Sequence, residues 1–582
     1  MNNLRETFQL SQPLMAWTMG MLLLCSACGF NQSGETASIA TDSVSIDKGK
    51  SLFALHCSAC HNFRQDGIGP QLGGLTRLVS SDWIHEFIKN PQVLIEAGDQ
   101  RAQELFAQYH TVMPSYAHLA EGDIAGIIAF LHTQKASPIR ESSGEVQALT
   151  NPIVDTIALS ELVIDLQLLC QVAPSSERMP RTRITKLDYQ PASQQLFVVD
   201  LRGQLFSIQD NKASLYLDLA QQLPHFIHQP GLATGFGSFA FHPEFAENGL
   251  LYTTHTEADS SGQADFAYAD SIPVTLQWVL SEWKTSQPES TTFSGARREL
   301  MRINMVTGIH GVQEITFNPL TKMGDEDYGL LYIGVGDGGS VENGYTHLTQ
   351  SKEKIWGTIL RIDPRGHDSR NGKYGIPNNN PWANEPDEKV LGEVYAFGFR
   401  NPHRISWSQN GQMIASNIGH KNIEALYQIQ AGGNHGWPIR EGSFMLHPAG
   451  DLNKVYPLPS DDQLYEVVYP IAEYDHDEGP AISGGYEYTG SNIPQLTGKY
   501  LFGDIVNGRL FYINLSEVKL GQQVEIKEWR VSFEGKVISL KDLCKNKRVD
   551  LRLGRDAGGE MYLFTKPDGK IYQMMRAVKE AS

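Results

Sequence analysis

The chain has no excess of positive charge: 48 Lys and Arg face 66 Asp and Glu over 582 residues, a formal net charge of −18. A nucleic-acid binder needs a cationic face to release counterions from phosphate, so nucleic acid is not an expected partner. Long apolar runs are scarce as well, which argues against a multi-spanning membrane protein. Cysteine is rare, with six in the whole chain, too few for a fold held together by disulfides. What is plentiful is glycine, proline and tyrosine, at 54, 28 and 22, a balance that favours turns and strands over helical bundles. The length allows more than one core.

The N-terminus reads as an address and an anchor. An apolar run from Leu14 to Leu24 follows Arg5 and precedes Cys25-Ser26-Ala27-Cys28-Gly29. It is too short to cross a bilayer comfortably and suits a signal peptide. Ser26 and Ala27 just before Cys28 resemble a bacterial lipoprotein cleavage site. That implies a signal peptide over residues 1–28 and Cys28 as the lipidated N-terminus. The expected location is the periplasmic side of a bacterial membrane, with Gly29 pointing to the outer one, and the lipid as the only membrane contact. Residues 29–45 are polar and form a tether.

The strongest motif is Cys57-Ser58-Ala59-Cys60-His61. Two thiols three residues apart reach both vinyl groups on one edge of a porphyrin, and the adjacent imidazole then lies under the iron. In an exported chain this run reads as covalent attachment of haem c. A zinc site would need a second C-x-x-C, and the sequence has none. Between His61 and Ser137 the one methionine is Met113, in a Met-Pro pair, so the sixth iron ligand is expected there. His/Met ligation raises the reduction potential and suits an electron carrier. Ile124, Ile127, Ile128 and Leu131 form one helical stripe, and an earlier helix carries Gly49 and Phe53 into the haem motif. Glycines at 49 and 126 would let the two helices cross closely. Residues 46–135 resemble a small all-α class I cytochrome c, in which the Gly69-Pro70 loop turns past the proximal imidazole and a carbonyl fixes its tautomer.

After a polar linker over residues 136–152, the pattern changes to short alternating strands. A loose unit recurs six times between Leu187 and Met574, in phrases such as Phe241-His242-Pro243, Gly329-Leu330-Leu331-Tyr332 and Gly508-Arg509-Leu510-Phe511. Matching phrases in every unit suit an all-β, six-bladed propeller over residues 153–582 with long inserts. Cys170 and Cys544 lie near the two ends of this domain, where a ring of blades must close. A disulfide between them is expected, with two buried thiols as the alternative.

The second domain resembles the soluble glucose/sorbosone (aldose sugar) dehydrogenase family. The phrases that carry the likeness are Leu331-Tyr332-Ile333-Gly334-Val335-Gly336-Asp337-Gly338-Gly339, Glu393-Val394-Tyr395-Ala396-Phe397-Gly398-Phe399-Arg400-Asn401-Pro402 and Gly432-Gly433-Asn434-His435-Gly436-Trp437-Pro438. The resemblance implies a six-bladed propeller using pyrroloquinoline quinone (PQQ) and calcium to oxidise an aldose or similar polyol. It implies His310 as catalytic base, Asp337 as its orienting carboxylate, and Arg400 and Asn401 as quinone contacts. Calcium ligands are implied at Gly419 and His420, with Glu424 beside a second, structural ion. The match departs from the family at Ile418, where a glutamine is expected, at Ala425, which cannot ligate, and at Thr489, where a basic residue is expected. Arg509 is a candidate substitute charge.

Two functions follow. The first is a quinohaemoprotein dehydrogenase that passes electrons to its own haem and on to an acceptor such as a soluble cytochrome or oxidase. The second is an electron-transfer cytochrome fused to a non-catalytic glycan- or protein-binding propeller.

Overall fold

A computed structural model of the chain describes residues 39–109, 112–136 and 146–578. Cys28, with the signal and most of the tether, lies outside the described residues. The first region is helical. Helix α1 (Ser43–His56) starts where the Asp42 side chain accepts from the Ser45 amide at 2.9 Å, and it buries Gly49 and Phe53. Helix α2 (Ser81–Lys89) is capped by Ser80 and buries Ile84 and Ile88. Helix α3 (Glu121–Thr133) buries the expected Ile124, Ile127, Ile128 and Leu131 stripe. A Cβ on Gly49 would stand 1.8 Å from the Gly126 carbonyl oxygen, so α1 and α3 cross at a distance only glycine permits. Phe53, Cys57 and the buried isoleucines form one apolar cluster against which Met113 packs. Among the described residues no helix is long and apolar enough to cross a membrane.

From Ala158 onward the chain is strand and loop with a few short helical turns such as Leu540–Cys544. Four four-stranded antiparallel sheets follow in chain order, starting at Ile184–Tyr189, Phe236–Phe241, Glu314–Phe317 and Pro402–Trp407. Their central strands are buried on both faces, as Leu331–Val335 is throughout, which accounts for continuous apolar runs in place of strict alternation. The remaining strands make a two-stranded ribbon of Arg440–Glu441 with Phe444–Met445 and one nine-stranded sheet. Its joint is strand β1 (Ala158–Gln171), which pairs antiparallel with Lys570–Val578 and parallel with Lys527–Phe533. Six separate blades were expected; the parallel pairing joins the last two repeat units into a single hydrogen-bonded sheet. Ile184–Tyr189, Phe236–Phe241, Glu314–Phe317, Pro402–Trp407, Tyr486–Glu487 and Leu551–Arg555 contact one another in that order, and the last returns to the first. The β-rich region is therefore propeller-like, with its opening strands around a common axis.

The expected disulfide is absent: Cys170 and Cys544 are free thiols. Cys170 packs with Val172, Ile184 and Ile571, while Cys544 packs with Leu540, Leu543 and Val549 in a different cluster. Burial pushes both thiols up to about 11. The ring is closed by the backbone ladder of β1, so no covalent fastening is required.

Candidate functional site

The haem-attachment segment directly follows α1. Cys57 and Cys60 are unbridged, and burial pushes both thiols up to about 12. His61 donates from Nδ1 to the Pro70 carbonyl at 2.8 Å, which leaves Nε2 as the ring's free nitrogen for a metal. Gly69 admits that ring, because a Cβ there would lie 2.5 Å from His61 Cε1. Three other histidines of this region are engaged elsewhere, His85 by Glu121, His132 by Thr76 and His118 by Arg178. The Cys57, Cys60, His61 and Met113 set fits a covalently held haem.

In the β-rich region, loops that enter the ring strands meet at one end, the mouth. His310 precedes Glu314–Phe317, Arg400 and Asn401 precede Pro402–Trp407, and Arg183 precedes Ile184–Tyr189. His310 adopts φ 50°, a left-handed conformation uncommon for a residue with a Cβ. It is held there by a bond from the Gly338 amide to its carbonyl at 3.1 Å. A Cβ on Gly336 would lie 2.2 Å from the His310 oxygen, and one on Gly311 would lie 1.9 Å from the Trp278 indole nitrogen. Glycine at both positions is what lets the turn aim His310 inward.

The expected pair forms. Asp337 Oδ1 accepts from His310 Nδ1 at 2.7 Å and from the Gly339 amide at 2.9 Å, while Oδ2 accepts from Trp437 Nε1 at 3.0 Å. Asp337 is wholly buried, so its tautomer-fixing bond to His310 is sheltered from water. His310 Nε2 has no partner among the described residues.

Arg400 is also in the mouth, but its two terminal nitrogens are engaged. Nη2 donates to Glu342 Oε1 at 2.5 Å and Nη1 donates to the Gly419 carbonyl at 2.5 Å. Glu342 Oε1 also faces His420 Nδ1 at 3.2 Å. Burial works against the Glu342 carboxylate, yet Arg400, His420 and His310 hold it well below the usual carboxylate range. Asn401 is buried with a side chain that makes no hydrogen bond among the described residues. Arg400 Nε, His420 Nε2 and Ser340 Oγ are buried and unpartnered. Those orphaned groups fit an oxygen-rich ligand such as a carboxylated quinone.

Calcium does not fit the residues matched to it. The Gly419 carbonyl faces a guanidinium, and Glu424 accepts from the Gly419 and Ile482 amides at 3.2 and 2.8 Å and bonds His476 at 3.1 Å. The loop over residues 419–423 wraps Glu441, whose Oε1 accepts the amides of His420, Lys421, Asn422 and Ile423. Among the described residues no three His, Cys, Asp or Glu side chains converge as a metal site. Arg509 is not a substitute mouth charge either, since Glu478 and Glu528 occupy its guanidinium. Ile418 packs in an apolar cluster.

The sequence reading missed Glu342 and Trp437 as site residues. Trp437 lies in the family-like phrase over residues 432–438; Glu342, between Val341 and Asn343, carries no local signal. The helical region and the mouth meet at Glu342. Gln65 Nε2 donates to the Glu342 carbonyl at 3.4 Å, and a Cβ on Gly67 would lie 3.6 Å from Glu342 Oε2. The charges of Arg548 and Glu342 reach the Cys60 thiol. Further contacts join Arg178 to His118 at 3.3 Å, Lys421 to the Tyr109 ring at 4.8 Å and Lys547 to the Phe106 ring at 5.7 Å. These come from four well-separated stretches of the β-rich region, so the helical region covers the mouth and presents its Cys60 side to it.

A family model described as Glucose / Sorbosone dehydrogenase matches residues 185–573, and one described as Cytochrome c matches residues 46–135. The HIPL2 protein of Arabidopsis thaliana is 30% identical over 340 residues, which is 51% of this chain and 46% of that protein. Quinoprotein glucose dehydrogenase B of Acinetobacter calcoaceticus is 23% identical over 233 residues, 37% of this chain and 42% of that one. The chain thus spans about half the length of the first curated relatives it matches. A crystal structure of a glucose dehydrogenase aligns over 70% of this chain and 99% of its own, at 16% identity and a TM-score of 0.50, a likeness of fold.

Proposed function

Because the chain belongs to the glucose/sorbosone dehydrogenase family and carries a cytochrome c domain ahead of that region, we propose that it is a quinohaemoprotein oxidising an aldose or related polyol. The family's six blades are read here as the closed ring of opening strands, the last two blades sharing one sheet through β1. When bound, PQQ supplies the two-electron acceptor in the mouth and haem c the one-electron acceptor beside it.

The chain's own residues do the rest. His310 Nε2 takes the proton of the sugar hydroxyl, the task of a general base near neutrality. Asp337 accepts from Nδ1, so in the neutral ring that nitrogen carries the proton and Nε2 the lone pair, and the carboxylate stabilises the imidazolium once the proton has moved. Trp437 fixes the second oxygen of Asp337, so the carboxylate cannot rotate away from the imidazole. Arg400 and Asn401 stand where anionic oxygens would lie. The covering helical region excludes water, which strengthens each of these interactions.

The observation that carries this reading is Glu342, which touches Arg400 in the mouth and Gln65 beside the haem motif. A non-catalytic propeller gives no reason for the haem-bearing face to cover that mouth. The lipid anchor at Cys28 and an exported location belong to the proposal and rest on the sequence alone. The test is to add PQQ and then aldoses to the haem-loaded protein and follow the haem α-band. Sugar-dependent reduction supports the enzyme.

The second reading, a binding propeller without cofactor, is favoured by one feature: both terminal nitrogens of Arg400 are already taken by Glu342 and Gly419. No quinone binding and no reduction with any aldose would leave that reading.

A further inference from the structure

The floor of the mouth holds more cations than its carboxylates can neutralise. Arg404 reaches across the axis, donating to the Thr185 carbonyl at 2.5 Å and the Gln313 carbonyl at 2.8 Å, with Glu314 3.4 Å away. Glu314 is shared with Lys186 at 2.7 Å. Asp550 is paired with Arg548 at 2.9 Å. Two cations are left over. Arg552, 4% exposed, donates to Thr185 Oγ1 at 3.4 Å and the Leu551 carbonyl at 2.7 Å, and has no carboxylate partner among the described residues. Lys566, 5% exposed, makes no hydrogen bond or ion pair through its ammonium group among those residues.

A second observation is independent of the charges. His403 is 1% exposed and neither ring nitrogen has a partner. Arg404, Arg552 and Lys566 all act on that ring. A buried polar ring with two empty hydrogen-bonding positions beside two unpaired cations is costly, and such an arrangement persists where a ligand completes it. Burial, followed by the neighbouring arginine charges and opposed by Asp550, pulls Arg552 down to about 9 and Lys566 well below its usual range.

We propose that Arg552 and Lys566, with His403, form the receptor for the carboxylate groups of a flat polyanionic ligand in the mouth. The proposal deepens the quinone reading and rests on it for the ligand's identity. Arg183, held by the His228 carbonyl at 2.9 Å, borders the same cluster.

The test uses full-length, haem-loaded protein and calorimetric titration with two probes, PQQ and the redox-inert benzene-1,3,5-tricarboxylate. Lys566→Met and Arg552→Met are each expected to weaken binding at least tenfold and the pair at least a hundredfold, while Lys566→Arg retains affinity. The ligand-free Lys566→Met protein should melt no lower than the parent, because an unpaired buried cation is lost; a purely structural lysine would lower the melting temperature. If PQQ binds the Met variants as it binds the parent, the receptor proposal is overturned and the dehydrogenase reading stands. If the parent binds the tricarboxylate but not PQQ, and the Met variants lose it, the receptor stands and the quinone reading falls. Binding of neither probe to the parent overturns both.

Discussion

The carboxylate of Glu342 accepts from the Arg400 guanidinium at 2.5 Å, and the same residue's carbonyl accepts from Gln65 in the cytochrome c domain. One buried anion therefore stands between the mouth and the haem-attachment cysteines. Such an anion stabilises ferric over ferrous haem, since the oxidised centre carries the extra positive charge. Glu342→Gln is expected to raise the haem midpoint potential, by about 59 mV for a tenfold change in the ferric/ferrous ratio. A redox titration of the haem-loaded protein without quinone measures this; an unchanged potential would mean that Glu342 and the haem are not coupled.

His310 and Asp337 should separate catalysis from haem loading. His310→Ala is expected to lower sugar-dependent haem reduction by roughly 10²–10⁴, the usual worth of a general base. The haem spectrum should be unaltered, because His310 stands outside the apolar cluster that holds Cys57 and Met113. Stopped-flow reduction with PQQ and glucose is the measurement, and parent-like rates would remove His310 from the reaction.

Met113 should show the reverse. Met113→His exchanges a thioether for an imidazole, which lowers the haem potential. Quinone reduction by sugar is expected to persist while transfer from reduced quinone to the lower-potential haem slows. Loss of both together would place Met113 in the fold of the domain and not at the iron.

The two thiols of the β-rich region offer a direct check on ring closure. Cys170 and Cys544 are free and sit in separate clusters. Alkylation of unfolded protein without reductant should label both, as read by mass spectrometry, and reductant should leave the melting temperature unchanged. A mass two units lower on a linked peptide would restore the disulfide.

Asp504 gives a pH signature. It is fully buried, accepting from the Ala481 amide at 3.1 Å and from Asn507, and burial pushes its carboxyl up to about 6 from 3.8. Between those values the folded state binds more protons than the unfolded one. Its contribution to stability therefore falls as pH rises from about 4 to about 6 and is constant above. Asp504→Asn should abolish that slope, leaving the stability difference between parent and variant changing only within this window. Denaturant titrations at a series of pH values measure it; a difference that does not vary with pH would contradict the burial argument.

Much of the fold was legible because its signals are local. The Ile124, Ile127, Ile128 and Leu131 stripe is one face of one helix, and Gly49 and Gly126 had to be small because two backbones touch there. His310 and Asp337 were legible through phrases whose turn geometry needs glycine. The disulfide was misjudged because chain ends that must meet do not have to meet at their cysteines: β1 brings them together by backbone pairing, with each thiol turned into its own apolar cluster. Arg509 was misjudged because a charge in sequence says nothing about which carboxylates fold against it.

The amino-acid order by itself determined the Cys57-to-His61 haem-attachment motif and the repeat of strands, since each depends on neighbours within a few positions. His310 and Asp337, 27 positions apart, were indicated only by family resemblance and are brought together by the fold. Only the tertiary structure decided that Glu342 joins Arg400, that Gly419 faces a guanidinium, and that Arg552 and Lys566 lie near His403. Those groups come from distant turns of the chain. Their meeting depends on ring closure and desolvation, which no short stretch of residues encodes.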